Sequence, residues 1–309
     1  MPPLRRIELP GPGPEDVVEA PDGRVITGIR DGRILAVDLG SGAVQTITHT
    51  GGRPLGLEVC TDSSLLICDA FRGLLRLARI EPGAACEVML GHLGGETLNF
   101  ASNVVAHPDG TVYFTTSTRR WDIEQWMGDL LEHSGTGRLW RRTPDGTVSV
   151  LRDGLDFANG VAFTPSRDAL IVAETAGYRI SRFQLTGPDA GRWTTLVDNL
   201  PGFPDNISLG SDGLIWVTLA APRNPMLDAL LPRPPWLRRL VWALPEAFTP
   251  APARTAWVLA IDSTTGAIVH DRQRAGTEFA LVTGVIERDG TLILGSLDES
   301  AIAVAALAD

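Results

Sequence analysis

The sequence lacks the features that would indicate a membrane-spanning, secreted or zinc-dependent protein. No apolar run approaches the roughly 18 residues of a membrane span, and the opening stretch MPPLRRIELPGPGPED has no apolar signal core. CxxC and HExxH are both absent and the five histidines are isolated, which disfavours a His/Cys zinc site. The three cysteines, Cys60, Cys68 and Cys86, have no partner motif, so we expect small buried side chains in a reducing compartment. These absences predict a cytoplasmic protein.

A basic face is also missing. The chain has 27 Lys and Arg against 37 Asp and Glu, a net charge of −10, and its basic residues are scattered. A nucleic-acid-binding protein should concentrate positive charge on one side, so we expect no nucleic-acid partner. Apolar residues make up 44% of the 309 residues and charged residues 21%, as in a packed globular protein.

A repeat runs through the whole chain. Six stretches each combine a short apolar strand, a polar turn and a second strand; they start at Pro14, Pro54, Ala101, Ala158, Pro204 and Val282. Five of the turns contain Asp-Gly or Asp-Ser, a strong hairpin signal, and a further hairpin follows each unit except the last, which ends early. The repeat predicts an all-β fold, a single six-bladed β-propeller of four-stranded antiparallel blades spanning 1–309. The segment RRIELP would supply the last blade's outer strand and close the ring.

Two insertions, at about 119–137 and 221–254, are too long for a bare blade. The first places apolar residues at helical spacing and predicts a short amphipathic helix within 121–133; the second is rich in Pro and Trp. Both follow the second strand of their blade, so we predict a lid over one mouth of the channel, with simple surface loops as the alternative. The predicted substrate-pocket residues are Trp121, Trp126, Met226, Trp236 and Thr283.

One position of the repeat is mostly polar. Counting eight residues back from each turn glycine, or its equivalent, aligns Glu15, Leu55, Ser102, Asn159, Asp205 and Val282. The first strand of each propeller blade lines the central channel, so these side chains converge on the axis. Converging carboxylates repel each other unless a cation lies among them, and an all-oxygen set suits Ca²⁺ first and Mg²⁺ second. A wet channel that binds only water is the alternative.

Several motifs resemble the senescence-marker-protein/gluconolactonase superfamily. They are the opening PED, FANGVAF with LIVAETAGYRISRF, and FPDNIS, while RPLGLEV, LPGFPDN and RNPMLD resemble its strictosidine-synthase-like branch, which includes adipocyte plasma-membrane-associated protein. The resemblance covers about residues 13–298 and implies a six-bladed propeller. Hydrolases of the superfamily hold an axial calcium through a Glu, two Asn and an Asp, which implies Glu15, Asn159 and Asp205 as ligands here.

The sequence departs from this family pattern at two positions. The slot of the second Asn holds Ser102, with Asn103 beside it; strand alternation favours Ser102, but both remain candidate ligands. The plant condensing enzyme of the branch carries a catalytic Glu where this chain has Thr283. A condensation reaction would therefore lack its acid/base group.

The leading hypothesis is a calcium-dependent hydrolase of a lactone, ester or related bond, with Mg²⁺, Mn²⁺ or Zn²⁺ as alternative ions. Asp205 would be the base or nucleophile and Glu15 would mainly anchor the metal. The second hypothesis is a non-catalytic propeller scaffold, and the third is the condensing enzyme that Thr283 disfavours. The expected partner is a small lactone or ester; the amphipathic segment 236–242 also raises peripheral membrane contact as a weaker alternative.

Overall fold

A computed structural model describes residues 1–242, 252–276 and 279–307, without the side chain of Arg239. Its strands form six four-stranded antiparallel sheets and one small two-stranded hairpin. Each sheet is one blade, and five blades are built from consecutive strands. The predicted six-bladed propeller is confirmed.

The first three blades come from the first half of the chain. Blade 1 comprises β2 (Val17–Glu19), β3 (Val25–Gly28), β4 (Arg33–Val37) and β5 (Val44–His49). Blade 2 comprises β6 (Pro54–Val59), β7 (Leu65–Asp69), β8 (Gly73–Leu77) and β9 (Cys86–Leu90), and is followed by the hairpin β10 (His92–Leu93) and β11 (Glu96–Thr97). Blade 3 comprises β12 (Ala101–Ala106), β13 (Val112–Thr116), β14 (Gly137–Arg142) and β15 (Val148–Leu155).

The remaining blades complete the ring. Blade 4 comprises β16 (Ala158–Phe163), β17 (Ala169–Glu174), β18 (Arg179–Gln184) and β19 (Trp193–Val197). Blade 5 comprises β20 (Gly202–Leu209), β21 (Ile215–Pro222), β22 (Thr255–Ile261) and β23 (Ile268–Ala275). Blade 6 comprises β24 (Val282–Arg288), β25 (Thr291–Ser296), β26 (Ala301–Ala306) and β1 (Arg5–Glu8). The N-terminal strand pairs with β26, as predicted, and joins the two ends of the chain in one sheet.

Burial follows the position of each strand in its blade. Every residue of β17 is buried, because neighbouring blades cover both faces of a middle strand. The outer strand β23 is mostly exposed, because only its inner edge is paired. Apolar side chains from adjacent blades pack together between the sheets; Trp216 and Val258 of blade 5, for example, share a cluster with Val285 of blade 6.

The inner strands of blades 2–6 share an irregularity near their start. In blade 3, Ala101 pairs with Thr116 but Val104 pairs with Phe114, so one extra residue bulges from the inner strand. The same shift occurs at the equivalent point of the other four strands. A bulge interrupts the alternation of side chains along a strand. Two successive residues of each strand can therefore face the channel.

The two insertions contain the helices. The first holds a 3₁₀ turn, Ile123–Gln125, and α1 (Trp126–Glu132), within the predicted helical stretch. The second holds α2 (Pro225–Leu230) and α3 (Pro235–Trp242); Asn224 caps α2 by accepting hydrogen bonds from the amides of Met226 and Leu227. Helix α3 packs against α1, and the rings of Trp121 and Trp242 meet edge to face at 5.1 Å. The two insertions are therefore in direct contact.

Candidate active site

The bulges place two levels of side chains at the start of the inner strands. The upper level contains Glu15, Leu55, Ser102, Asn159, Asp205 and Thr283. Counting back from the turn glycine predicts Val282 in the sixth slot, whereas the structure places Thr283 there. The turn between β24 and β25 contains only Asp289 and Gly290 and is shorter than the others, so counting back from its glycine is wrong by one residue.

All six upper-level residues line one cavity of about 930 Å³. Glu15, Ser102, Asn159 and Asp205 are at most 9% exposed. The Ser102 hydroxyl donates to Asn159 Oδ1 at 3.1 Å, and Asn159 Nδ2 donates to the Thr175 hydroxyl at 3.2 Å. The predicted site residues Glu15, Ser102, Asn159 and Asp205 are thus brought together on the floor of a cavity. Thr175, which fixes Asn159, was not predicted.

Two carboxylate oxygens on this floor have no hydrogen-bond partner within the described residues: Glu15 Oε2 and Asp205 Oδ1. Burial raises the pKa of Glu15 well above its usual range, and the nearby charges of Asp205 and Asp16 raise it further. Burial also raises the pKa of Asp205 to about 7, against the opposing effect of the Asn159 side chain. Unpartnered buried carboxylates are costly, and a cation among them would remove that cost.

The donor set is compatible with a hard cation. It comprises two carboxylates, one amide oxygen and one hydroxyl, all oxygen donors of the kind that calcium prefers. Within the described ranges, no three His, Cys, Asp or Glu side chains cluster in a way that could hold a metal. Any cation on this floor would therefore depend on the neutral oxygens of Asn159 and Ser102 as well as on the two acids.

The lower level alternates polar residues with glycine around the ring: Asp16, Gly56, Asn103, Gly160, Asn206 and Gly284. Asn103 Nδ2 donates to Asn206 Oδ1 at 3.0 Å, and Asn206 Nδ2 donates to Glu15 Oε1 at 3.1 Å. Asn206 therefore orients the Glu15 carboxylate, whereas its neighbour Asp205 lines the cavity. Sequence reasoning missed Asp16 and Asn206 as site residues, although the alternation with glycine was a readable signal.

Ser102 and Asn103 were both candidate ligands, and the structure separates them by level. Ser102 lines the cavity, whereas Asn103 does not. Asn103 Oδ1 accepts a hydrogen bond from the Val161 amide at 3.2 Å, and its amide nitrogen is used by Asn206. Strict alternation does not hold at this point, because the inner strand bulges between Ala101 and Val104 and the Asn103 amide reaches Asp16 of blade 1 and Asn206 of blade 5.

The glycines of the lower level make room for the neighbouring blade. A Cβ on Gly160 would lie 2.4 Å from the Ile207 nitrogen and 2.7 Å from the Asn206 Cα, both rigid backbone atoms. We therefore expect Gly160→Ala to lower the free energy of unfolding by about 1–3 kcal/mol. Urea unfolding measures this, with Gly40→Ala as the control, because a Cβ there meets nothing closer than 3.4 Å. Equal stability of the two variants would contradict this steric role.

The cavity wall differs partly from the prediction. Trp126, Met226 and Thr283 line the cavity, but Trp121 and Trp236 do not. Trp121 instead packs on Trp242 and donates its indole N–H to Glu132 at 2.8 Å, and Trp236 is 61% exposed. That these two tryptophans lie outside the cavity lining could not be read from composition.

Three phenylalanines that were not predicted form part of the cavity wall. Phe100, Phe157 and Phe203 line the cavity, and each precedes an upper-level residue by two positions. Phe100 and Phe157 meet edge to face at 5.4 Å. The recurring triplets FAS, FAN and FPD were the available signal. The cavity thus combines a polar floor with largely apolar walls.

Comparison with known families agrees with this architecture. The family model "Strictosidine synthase" matches residues 103–188, and "Strictosidine synthase-like, N-terminal" matches residues 3–37. Adipocyte plasma membrane-associated protein of Salmo salar is 32% identical over 307 residues, which cover 92% of this chain and 73% of that protein. The human protein is 33% identical over 312 residues, with the same coverage. This chain belongs to the adipocyte plasma membrane-associated protein family. The predicted resemblance to the strictosidine-synthase-like branch is confirmed.

Several solved structures share the propeller fold of this protein. A gluconolactonase from Xanthomonas campestris superposes with a TM-score of 0.71 at 16% identity, over 99% of this chain and 90% of that one. A calcium-binding regucalcin from Agrobacterium tumefaciens superposes with a TM-score of 0.65 at 14% identity, over 97% and 92%. At these identities the likeness establishes the fold.

The comparison overturns the predicted location. Members of this family are named for association with the plasma membrane, so the expectation of a cytoplasmic protein is wrong. That expectation depended on unpaired thiols and on the lack of an apolar segment. Neither feature determines whether a folded propeller associates with a membrane. Across the described ranges, no helix is long and apolar enough to cross a bilayer.

Proposed function

We propose that this protein is a hydrolase of a lactone or ester that uses a divalent cation, most simply Ca²⁺, at the floor of its cavity. One observation carries the proposal: the buried carboxylates Glu15 and Asp205 each leave an oxygen unpartnered at the base of a cavity of substrate size. Pockets for small molecules commonly combine apolar walls with a few converging polar groups. The gluconolactonase and the calcium-binding regucalcin that share the fold are consistent with this chemistry.

The cation would be held by Glu15, Asp205, Asn159 and Ser102. When bound, it would supply Lewis-acid polarisation of the scissile carbonyl. Asn206 keeps Glu15 directed at the site through the 3.1 Å hydrogen bond to Oε1, which leaves Oε2 free for binding. Ser102 and Asn159 are already linked to each other at 3.1 Å, and both line the same cavity as the two acids.

Asp205 would act as the base or nucleophile. Asp205 lines the same cavity as the apolar walls, and its Oδ1 has no hydrogen-bond partner among the described residues, so a carboxylate oxygen is available to a bound ester. Thr283 cannot replace the acid of the condensing enzymes, because its hydroxyl donates to the Glu15 carbonyl oxygen at 2.7 Å. Hydrolysis is therefore favoured over amine–aldehyde condensation.

The two insertions would form a lid that selects moderately apolar substrates. Trp126 and Leu130 of the first insertion and Met226 and Trp242 of the second line the cavity. Closing apolar groups over the floor would exclude water and favour aryl esters or alkyl lactones over sugar lactones. We also infer that the protein works at a membrane surface, as the name of its relatives suggests.

The proposal is tested by measuring metal content and turnover of purified protein, with and without chelator, on lactones and esters of graded polarity. We expect bound calcium, activity that falls on chelation and returns with Ca²⁺, and a preference for apolar esters. Full turnover in metal-free protein would refute the metal role. Tight calcium binding without turnover of any ester would instead support the scaffold hypothesis.

Removing the charge of Glu15 should weaken cation binding before it affects folding. Calcium affinity follows the number of charged ligands, so we expect Glu15→Gln to raise the dissociation constant by on the order of tenfold to a hundredfold. Isothermal titration of calcium into chelator-treated protein measures the change. Glu8→Gln is the control, because Glu8 is an exposed residue of the outer strand β1. Unchanged affinity in Glu15→Gln would remove Glu15 from the ligand set.

A further inference from the structure

The second insertion concentrates exposed apolar side chains. Within 17 residues it presents Met226, Trp236, Leu240 and Trp242, which are 46%, 61%, 58% and 38% exposed. Elsewhere among the described residues, large exposed apolar side chains occur singly or, at Ile268 and Val269, as one pair. Scattered exposed apolar residues are normal on protein surfaces, but a cluster that includes two tryptophans indicates a contact surface.

Helix α3 presents this surface outward. Trp236 and Leu240 are four residues apart and therefore lie on the same face of the helix. Leu237 and Val241, one position further along, are half-buried, and Val241 lines the cavity. The helix is thus fixed to the protein by one side, while the Trp236 and Leu240 side is open within the described part of the chain.

The segment that contains α3 has a charge opposite to that of the protein as a whole. Residues 233–242 contain Arg233, Arg238 and Arg239 and no acid, whereas the chain carries a net charge of −10. An anionic surface would therefore repel most of the molecule and attract this segment, which sets one orientation of approach. Trp and Leu beside Arg are the residues that interfacial helices place at the boundary between headgroups and acyl chains.

We propose that α3 docks on the headgroup region of an anionic phospholipid bilayer, with Trp236 and Leu240 inserted and the exposed Arg233 on the headgroups. The docking face adjoins the cavity, since Met226 and Trp242 are both exposed and line the cavity wall. If the proposed hydrolase function holds, an apolar ester dissolved in the bilayer would meet the cavity directly. The docking itself depends only on the exposed face and its charge.

Vesicle sedimentation tests the docking without any substrate. The samples are the wild-type protein, the double variant Trp236→Ala/Leu240→Ala, and the control Ile268→Ala/Val269→Ala, which removes apolar side chains that are 48% and 49% exposed on the outer strand β23. Each is mixed with vesicles of phosphatidylcholine alone or of phosphatidylcholine with phosphatidylserine. Neither Trp236 nor Leu240 lines the cavity, so hydrolysis of a water-soluble ester without vesicles should be the same in all three.

We expect wild type and control to bind the phosphatidylserine vesicles about tenfold more strongly than phosphatidylcholine alone, and high salt to remove the difference. The Trp236→Ala/Leu240→Ala protein should stay in the supernatant. Equal binding by all three proteins, or no binding by the wild type, would overturn the proposal. Light scattering tests whether the face instead binds a second copy of the chain. If the wild type is a dimer that does not bind lipid, and the double variant is a monomer, the face is a dimer interface and the membrane proposal is wrong.

Discussion

Replacing Asp205 by Asn should reduce ester hydrolysis by about 10²–10⁴-fold and leave the propeller folded. An amide keeps the shape of the carboxylate but cannot accept a proton or attack a carbonyl, and a positioned acid/base group contributes about this factor. The unpartnered oxygen of Asp205 accepts no hydrogen bond within the described residues, so the substitution breaks no contact of that atom. Removing a buried charge at this position should even raise the melting temperature slightly in the absence of metal.

The measurement is the rate of hydrolysis at saturating calcium, together with thermal unfolding of the same samples. Asp198→Asn is the control for the same chemical change in solvent, because Asp198 is exposed in a loop and accepts a local hydrogen bond from the Asn199 amide. Calcium binding must be titrated in parallel, since Asp205 is also a proposed ligand. If Asp205→Asn retains full activity at saturating calcium, Asp205 is neither base nor nucleophile.

The propeller could be predicted because its signals are local. Asp-Gly or Asp-Ser turns between apolar strands occur in five of the six repeat units, and hairpin pairing needs no information from distant residues. The polar upper level could be predicted for the same reason, since Ser102, Asn159 and Asp205 precede similar turns at equal spacing. The error at Val282 arose where that spacing fails, in the shortened turn at Asp289 and Gly290.

Strand alternation does not predict the lower level, because in blades 2–6 these residues face the interior through the bulges; the recurrence of polar residues and glycine at this position was the available signal. Asn103 and Asn206 face the interior since an extra residue enters each inner strand, and a single strand does not show where its pairing shifts. The positions of Trp121 and Trp236 depend on how the two insertions pack on one another. Such long-range packing is not encoded in the helical spacing of either segment.

An ion pair in blade 4 joins Arg179 to a fully buried carboxylate, and its loss should lower stability strongly. Arg179 donates from Nε to Glu174 Oε1 at 2.9 Å and also bonds Asp156 at 2.8 Å. The Glu174 side chain is 0% exposed and accepts a further hydrogen bond from the Ser181 hydroxyl at 2.7 Å. Arg179→Met would leave this carboxylate buried without its cation, which costs about 3–5 kcal/mol of unfolding free energy.

The control is a solvent-exposed ion pair on the protein surface. Arg192 and Asp189 lie 3.5 Å apart with side chains 65% and 63% exposed, so Arg192→Met should change stability by less than about 1 kcal/mol. Urea unfolding of the two variants against wild type at neutral pH gives the comparison. Similar losses in both variants would mean that the Arg179 pair is no stronger than a surface pair.

The pH dependence of the Arg179→Met deficit separates charge from packing. In the wild type, burial alone would raise the pKa of Glu174, but the hydrogen bonds of Arg179 and Ser181 outweigh it and the pKa lies below its usual value. The pair therefore stabilises the protein above the unfolded-state pKa of about 4.3, and this contribution is lost as the pH falls through the folded-state pKa. In Arg179→Met the guanidinium no longer opposes the effect of burial, so the pKa of Glu174 rises. Glu174 then takes up a proton at higher pH, and the cost of burying its charge disappears on acidification.

The difference in unfolding free energy between Arg179→Met and wild type should therefore be largest near neutral pH and shrink toward pH 4. Urea unfolding across that pH range measures it. A deficit that stays constant with pH would show that Arg179 stabilises blade 4 by packing rather than by its charge.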